Sequence, residues 1–284
     1  GAELGTRREI PSTRDLYAVS RALEDHHIDA LLVIGGYSAY EGIYTMMTER
    51  DRYPAFRIPT VCIPASIDNN LPGSELSIGT DTALNVIVEA MDKIKESGIA
   101  SRRCFVVETM GRDCGYLALM SGIAAGAERI YTNEDGISLD DLANDVHWLR
   151  ESFAHGRRLF LAVRNENASH NYTTDFIARL LEEESHGMYD VRQVVLGHMQ
   201  QGGSPSPFDR LLANRLGYRA LNLIDDELAA HQDGSWFIGV NESGMRPCSM
   251  DTMPSLVDAA HRRPREQWWL QLRTIARMVS DEVR

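Results

Sequence analysis

The apolar positions of the chain fall into two alternating rhythms. Short runs rich in β-branched and apolar residues at 30–34, 58–63, 104–108, 159–163, 194–196 and 236–240 read as buried strands. Between them lie stretches with helical spacing: 13–27, with Leu16, Val19 and Leu23 on one face; 82–95, with Leu84, Ile87, Val88 and Met91; then 117–127, 139–153, 173–184 and 211–223. Residues 236–240 read as the last strand, and the tail after Trp268-Trp269 as a closing helix. Strand followed by helix throughout predicts a layered α/β fold with a largely parallel sheet.

In such folds chemistry collects past the carboxyl ends of strands. Several of these ends are polar. The run 58–63 stops at Pro64 and empties into Ser66-Ile67-Asp68-Asn69-Asn70, where a carboxylate is flanked by a hydroxyl and amides. That set suits proton transfer or hydrogen bonding to a substrate hydroxyl, and it equally suits plain turn chemistry. The first strand ends in Gly35-Gly36, followed by Tyr37 where a turn for a phosphate would profit from a metal-holding carboxylate. Further ends carry Met110-Gly111-Arg112, Arg164-Asn165-Glu166 and Gly197-His198-Met199-Gln200-Gln201. If the loops converge, arginines for phosphate and neutral acceptors for hydroxyls meet in one pocket, as a sugar phosphate requires.

Composition narrows the class. A chain of 284 residues can hold one large or two modest α/β units. A net charge of −12 argues against nucleic acid or an anionic membrane as the main partner, though a few converging arginines can still bind a small anion. No apolar run approaches the roughly 18 residues of a membrane helix. The four cysteines form no CxxC pair, which points to reduced thiols and a cytoplasmic protein. There is no GxxxxGK[ST] segment, and no cluster with metal-ligand spacing.

Ile34-Gly35-Gly36, Pro64-Ala65-Ser66-Ile67-Asp68-Asn69-Asn70, Glu108-Thr109-Met110-Gly111-Arg112 and 196–205 together resemble ATP-dependent 6-phosphofructokinase. The likeness is to the C-terminal half of the tandem chains typical of eukaryotes, marked by residues 5–8, 171–176 and Arg265-Glu266-Gln267-Trp268-Trp269. It implies a three-layer α/β fold of two lobes with largely parallel sheets, the first strand of the first lobe missing. Residues 1–79 and 200–256 would form a degenerate nucleotide-side lobe, and 80–199 and 257–284 the sugar-phosphate-side lobe.

The resemblance also implies roles. Asp68 matches the catalytic base of the family, and Arg112 an arginine of its substrate site. The sugar-phosphate site would comprise Arg8, Ser66, Asn69 and Asn70, Arg103, Met110 to Arg112, Glu166, Arg192, His198 to Gln201, and Arg262. Arg103 and Arg192 would be supplied to a neighbouring subunit or half. The departures begin on the nucleotide side, where Tyr37 stands in place of an aspartate that serves Mg-ATP; in addition, Asn70 stands where catalytic copies have a second aspartate and Gln201 where they have an arginine. A tyrosine cannot neutralise charge between phosphates as a metal does.

The expectation is therefore a half that binds fructose 2,6-bisphosphate or fructose 6-phosphate as an effector, in a glycolytic enzyme that as a whole uses Mg and ATP. This half would hold neither metal nor nucleotide. Its partners would be the N-terminal catalytic half and further copies in a homo-oligomer. Two alternatives stay open: a working phosphotransferase site with Asp68 as base, and a structural scaffold.

Overall fold

The computed structural model describes residues 15–98, 101–241 and 243–281. Its contacts divide the chain into two compact units, each with its own sheet.

The first unit takes Gly1–Ser66, Asn70–Gly79 and Pro207–Gln267. It opens with α1 (Leu16–Asp25), β1 (Leu31–Gly35), α2 (Tyr37–Thr48) and β2 (Thr60–Pro64). The second unit, Ile67–Asn69, Thr80–Ser206 and Trp268–Arg284, follows. It contains α3 (Thr80–Gly98), β3 (Arg103–Thr109), α4 (Tyr116–Ala125), β4 (Arg129–Tyr131), α5 (Leu139–Ala154), β5 (Leu159–Asn165), α6 (Thr174–Glu183) and β6 (Asp190–Val195). The chain then returns to the first unit with α7 (Pro207–Ala229), β7 (Ser235–Asn241), β8 (Gly244–Ser249), α8 (Met253–Leu256), β9 (Val257–Asp258) and β10 (Arg263–Pro264). The closing helix α9 (Arg273–Asp281) belongs to the second unit. The boundaries differ from the sequence expectation: 67–69 and 200–206 pack with the second unit and 257–267 with the first.

In the second unit the sheet runs β4-β5-β3-β6, all parallel. Strand alternation assigns its faces. Phe105 and Val107 of β3 join Leu161 and Val163 under α3 and α4, with Trp269 in the same core. Cys104 and Val106 turn the other way and meet Leu142, Leu149 and Phe153 of α5 and Ile177 of α6. Both faces are apolar, so β3 reads as a continuous hydrophobic run. On α3 the fully buried stripe is Ala83, Ile87 and Met91, with Val88 only half-buried.

The first unit's sheet runs β1-β2-β7-β8, and only its last pair is antiparallel. Cys62 and Phe237 pack beneath Tyr40, Ile43, Met46 and Met47 of α2, while Val61, Ile63 and Ile238 pack on Leu212, Leu216 and Leu223 of α7. Residues 236–240 are therefore not the last strand, as expected from sequence. β8 pairs with β7 as a hairpin in register Ile238↔Pro247. A proline is tolerated there because β8 is an edge strand. α7 likewise begins at Pro207 rather than near Leu211, since proline suits the first helical position.

All four cysteines are free, three of them buried. Among the described residues no helix is long and apolar enough to cross a membrane.

Candidate functional site

Each unit carries its own group of candidate residues. In the second unit they gather where β3, β5 and β6 end. Thr109 leads into Met110, Gly111 and Arg112, and this loop is pinned from two sides. Glu166 Oε1, just past β5, accepts the backbone N–H of Gly111 at 3.1 Å and of Arg112 at 2.8 Å. Gln200, in the 3-10 turn Gly197–Gln201 after β6, accepts the Met110 N–H at 3.1 Å and donates to the Gly197 carbonyl at 2.8 Å. Gly111 has φ 131°, and a Cβ there would stand 2.4 Å from the Cys114 carbonyl oxygen, so only glycine fits the turn. Arg112 follows at φ 47°, exposed, and Gln201 Nε2 lies 3.9 Å from Met110 Sδ.

The loop is preorganised from beneath as well. Arg164, 1% exposed, donates to Glu108 Oε2 at 2.8 Å and to the carbonyls of Glu166, Ser169 and Tyr172 at 3.0, 2.6 and 3.2 Å. It thereby ties down the segment that presents Glu166. Burial pulls its guanidinium below the ordinary value, and Glu108 opposes that.

Of the expected sugar-phosphate residues, the structure brings together Met110, Gly111, Arg112, Glu166, Gln200 and Gln201, with the exposed His198 on the same 3-10 turn. Asp68 and Asn69 sit on the turn after β2; Asn69 is buried with φ 52° and Asp68 is half-buried. Arg103 and Arg192 do not join this group. Arg103 starts β3, six residues before Thr109 or roughly 20 Å along a strand. Its Nη1 reaches the Ser97 carbonyl at 3.4 Å. Arg192 lies in register with Phe105 and is exposed. Arg8 lies outside the described residues.

In the first unit the head of α2 is already filled. Gly36 is the N-cap residue and offers no side chain, and Tyr37 behind it is 7% exposed. Gly35 permits a close approach, since a Cβ there would lie 2.6 Å from that of Ala39. Over this turn stands Arg262, carried on the turn between β9 and β10. Its Cζ is 4.9 Å from the Tyr37 ring centroid, and Nη2 donates to Ser38 Oγ at 2.9 Å and to Glu41 Oε2 at 2.6 Å. Asn70 Nδ2 donates to the Arg262 carbonyl at 2.9 Å, and Ser66 Oγ contacts Asn70 Oδ1 at 3.3 Å. Burial, then the Glu41 charge, raises the Tyr37 phenol above its ordinary value.

Sequence reasoning placed Arg262 among sugar-phosphate ligands and missed Ser38, Glu41 and Arg164. Arg262 and Glu41 are 221 residues apart, and no local pattern links them. Arg164 carried one usable signal, a charge at the end of an apolar run, but its partner Glu108 follows from strand register alone.

The family model for phosphofructokinase matches residues 1–224. The chain belongs to the phosphofructokinase family. It is 41% identical over 290 residues to the platelet-type ATP-dependent 6-phosphofructokinase of Rattus norvegicus, covering 99% of this chain and 37% of that protein. The Dictyostelium discoideum ATP-dependent 6-phosphofructokinase is 41% identical over 283 residues, again across 99% of this chain but 34% of the relative. Among solved structures, the phosphofructokinase of Saccharomyces cerevisiae superposes with TM-score 0.94 at 33% identity, covering all of this chain and 39% of that one. The chain thus spans little more than a third of the curated relatives it matches. Within this phosphofructokinase chain, the Mg and ATP implied for the whole enzyme do not fit the head of α2. Ser38 and Glu41 there are engaged by a guanidinium, and the residue at the turn is a buried phenol. A cation in that place repels a metal rather than coordinating it.

Proposed function

We propose that this chain is the C-terminal, regulatory half of a 6-phosphofructokinase. In this reading it belongs to a cytoplasmic homo-oligomer whose N-terminal half transfers phosphate from Mg-ATP to fructose 6-phosphate. This half binds a sugar phosphate, fructose 2,6-bisphosphate or fructose 6-phosphate, as an effector. Differential affinity of the effector for two states of the assembly would carry the regulation.

The observation that carries the reading is Arg262 stacked on Tyr37 and paired with Glu41. Where catalysis needs a metal between phosphates, this unit presents an aromatic ring, a guanidinium and a carboxylate that neutralise each other. The loop of Met110 to Arg112, by contrast, is held ready by Glu166 and Gln200 and offers an exposed arginine beside amides. Arg103 and Arg192, remote from that loop in their own chain, suit the role of reaching a neighbouring copy's site.

A second reading keeps one supporting feature. Asp68 retains a carboxylate on the turn after β2, where the family's general base stands, so a working phosphotransferase site remains the competitor.

Calorimetric titration of the full-length chain with fructose 2,6-bisphosphate, and separately with Mg-ATP plus an N-half inactivated by substitution, tests both. Sugar bisphosphate binding without a second Mg-ATP site supports regulation. Mg-ATP binding and turnover by this half, lost in Asp68→Ala, would replace it with the catalytic reading.

A further inference from the structure

Helix α7 is apolar on two opposite faces. Leu212, Leu216, Ala220, Leu223 and Ile224 pack on the first unit's sheet, as a surface helix requires. The face turned away carries Leu211, Tyr218, Leu221 and Leu228, between 38% and 72% exposed, and the exposed Asn214 and Asp225 complete the row. These six positions recur at steps of three and four residues, the 3.5-residue period of a seam that packs against a second helix. A solvated face would be polar there, whereas a continuous apolar row marks an interaction surface.

The order of residues along the row identifies what covers it. Leu211 and Leu228, Asn214 and Asp225, and Tyr218 and Leu221 lie 8, 5 and 1 positions on either side of the bond between Arg219 and Ala220. The row therefore reads alike from both ends. Set antiparallel against itself about a two-fold axis, α7 places leucine on leucine at the ends and Tyr218 on Leu221 near the centre. The Asn214 amide then comes level with the Asp225 carboxylate, to which it can donate. Charge points the same way. Arg215 and Asp226 are both exposed, and a separation of three helical turns puts them on one flank of the row. Antiparallel pairing brings each close to the level of the other across the axis. A parallel pairing would instead oppose Asp225 to Asp225 and Arg215 to Arg215.

We infer that the outward face of α7 is a contact with a second copy of this chain, the two helices packing antiparallel about a two-fold axis at residues 219–220. The contact supplies one interface of the homo-oligomer in the reading above and rests on that part of it, independent of any ligand. Tyr218 and Leu221 form its buried centre, and the Arg215–Asp226 pairs close its rim. An interface one helix wide falls below about 1,200 Å², at the small end of specific contacts, so it assembles in a concentration-dependent way.

The test is sedimentation velocity of the full-length protein over a concentration series, with circular dichroism to check that each variant folds. Leu221→Lys puts two charges near the centre of the contact and is expected to weaken one association step at least about tenfold. Arg215→Glu, set against the partner's Asp226, is expected to weaken the same step about threefold. Combining Arg215→Glu with Asp226→Arg is expected to restore it. Within one helix these two residues stand about 16 Å apart, so the rescue runs only between copies. Oligomers unchanged in both single variants would overturn the α7 contact and leave the homo-oligomer reading standing. Weakening without rescue by the double reversal would overturn the antiparallel pairing. Loss of fold in Leu221→Lys, with oligomers indifferent to Arg215→Glu, would mean that another segment of a longer chain covers the row, and would equally overturn the contact. A protein monomeric at every concentration would sink the contact and the homo-oligomer reading together.

Discussion

Glu166 holds Arg112 by its backbone: the carboxylate Oε1 accepts the Arg112 N–H at 2.8 Å and the neighbouring Gly111 N–H at 3.1 Å. A buried-side acceptor under two successive donors makes a small nest that keeps Arg112 in its left-handed conformation, φ 47°. The loop is thus shaped before any ligand arrives. Glu166→Ala should leave both N–H groups without an acceptor and cost about 1–3 kcal/mol. Glu166→Gln, whose amide oxygen still accepts, should cost less. Urea unfolding of the two variants checks the order, and sugar bisphosphate affinity should follow it. Equal stabilities would mean the nest contributes nothing.

Arg164 is a buried charge with four named acceptors, and its loss should be felt in two places. Replacement by Met, similar in length, strands Glu108 beside the Thr174 hydroxyl with its cation gone. Breaking such a pair from one side costs about 3–5 kcal/mol. The segment from Glu166 to Tyr172 also loses its carbonyl anchors, so limited proteolysis should cut there first. Arg164→Lys keeps the charge but not the fork of donors, and should recover only part of the stability. Adding Glu108→Gln to Arg164→Met should restore some stability by removing the stranded charge. Indifference of the double variant would refute the pairing argument.

What could be read from the chain alone followed from locality. The apolar runs 58–63 and 104–108 announced themselves as strands because β2 and most of β3 are buried on both faces, and the polar loops at their ends stood out by contrast. Helical spacing over 139–153 marked α5 closely, and the structure adds a capping box of Ser138 and Asp141 at its start. The hairpin of β7 and β8 escaped because an edge strand needs no alternation and tolerates Pro247. β9 and β10 are two residues each, too short for any periodicity. The contacts that decide the candidate site were the hardest. Glu108 meets Arg164 across 56 residues and Glu41 meets Arg262 across 221, and only strand register and side-chain rotamers bring them together.

Stability should fall on the alkaline side. Burial raises the phenols of Tyr40 and Tyr131 well above 10.0, and the thiols of Cys62 and Cys104 above 9.0. The folded protein keeps these protons when the unfolded chain has lost them. Above the unfolded values the unfolded state therefore binds fewer protons, and stability declines as pH rises. The contribution is fully present below about pH 9 and shrinks by about 1.4 kcal/mol per pH unit for each group beyond its unfolded value. Urea midpoints followed by tryptophan fluorescence should be flat through neutral pH and then drop. Tyr40 offers a clean variant, because its hydroxyl is buried with no hydrogen-bond partner. Tyr40→Phe should make the alkaline decline shallower without lowering stability at neutral pH. A decline of unchanged slope would remove Tyr40 from the account.

Tyr37→Asp restores the residue that the family resemblance associates with Mg-ATP, and it should not restore nucleotide binding. Arg262 Cζ stands 4.9 Å from the Tyr37 ring centroid, so a carboxylate introduced there lies within easy reach of the guanidinium. The new aspartate and Glu41 would then share one cation. Mg²⁺ demands oxygen ligands in near-octahedral geometry at about 2.1 Å, and a positive guanidinium among those oxygens opposes it. The substitution also gives up a buried ring and its cation–π contact, the latter worth about 0.5–2 kcal/mol. The expected result is a less stable protein that binds no more Mg-ATP than the parent in equilibrium dialysis. Adding Arg262→Ala to Tyr37→Asp frees both carboxylates, so any metal-dependent nucleotide binding should emerge only in that double variant. Tight Mg-ATP binding by Tyr37→Asp alone would mean that the tyrosine, and not the clasp of Arg262 on Glu41, is what closes the head of α2.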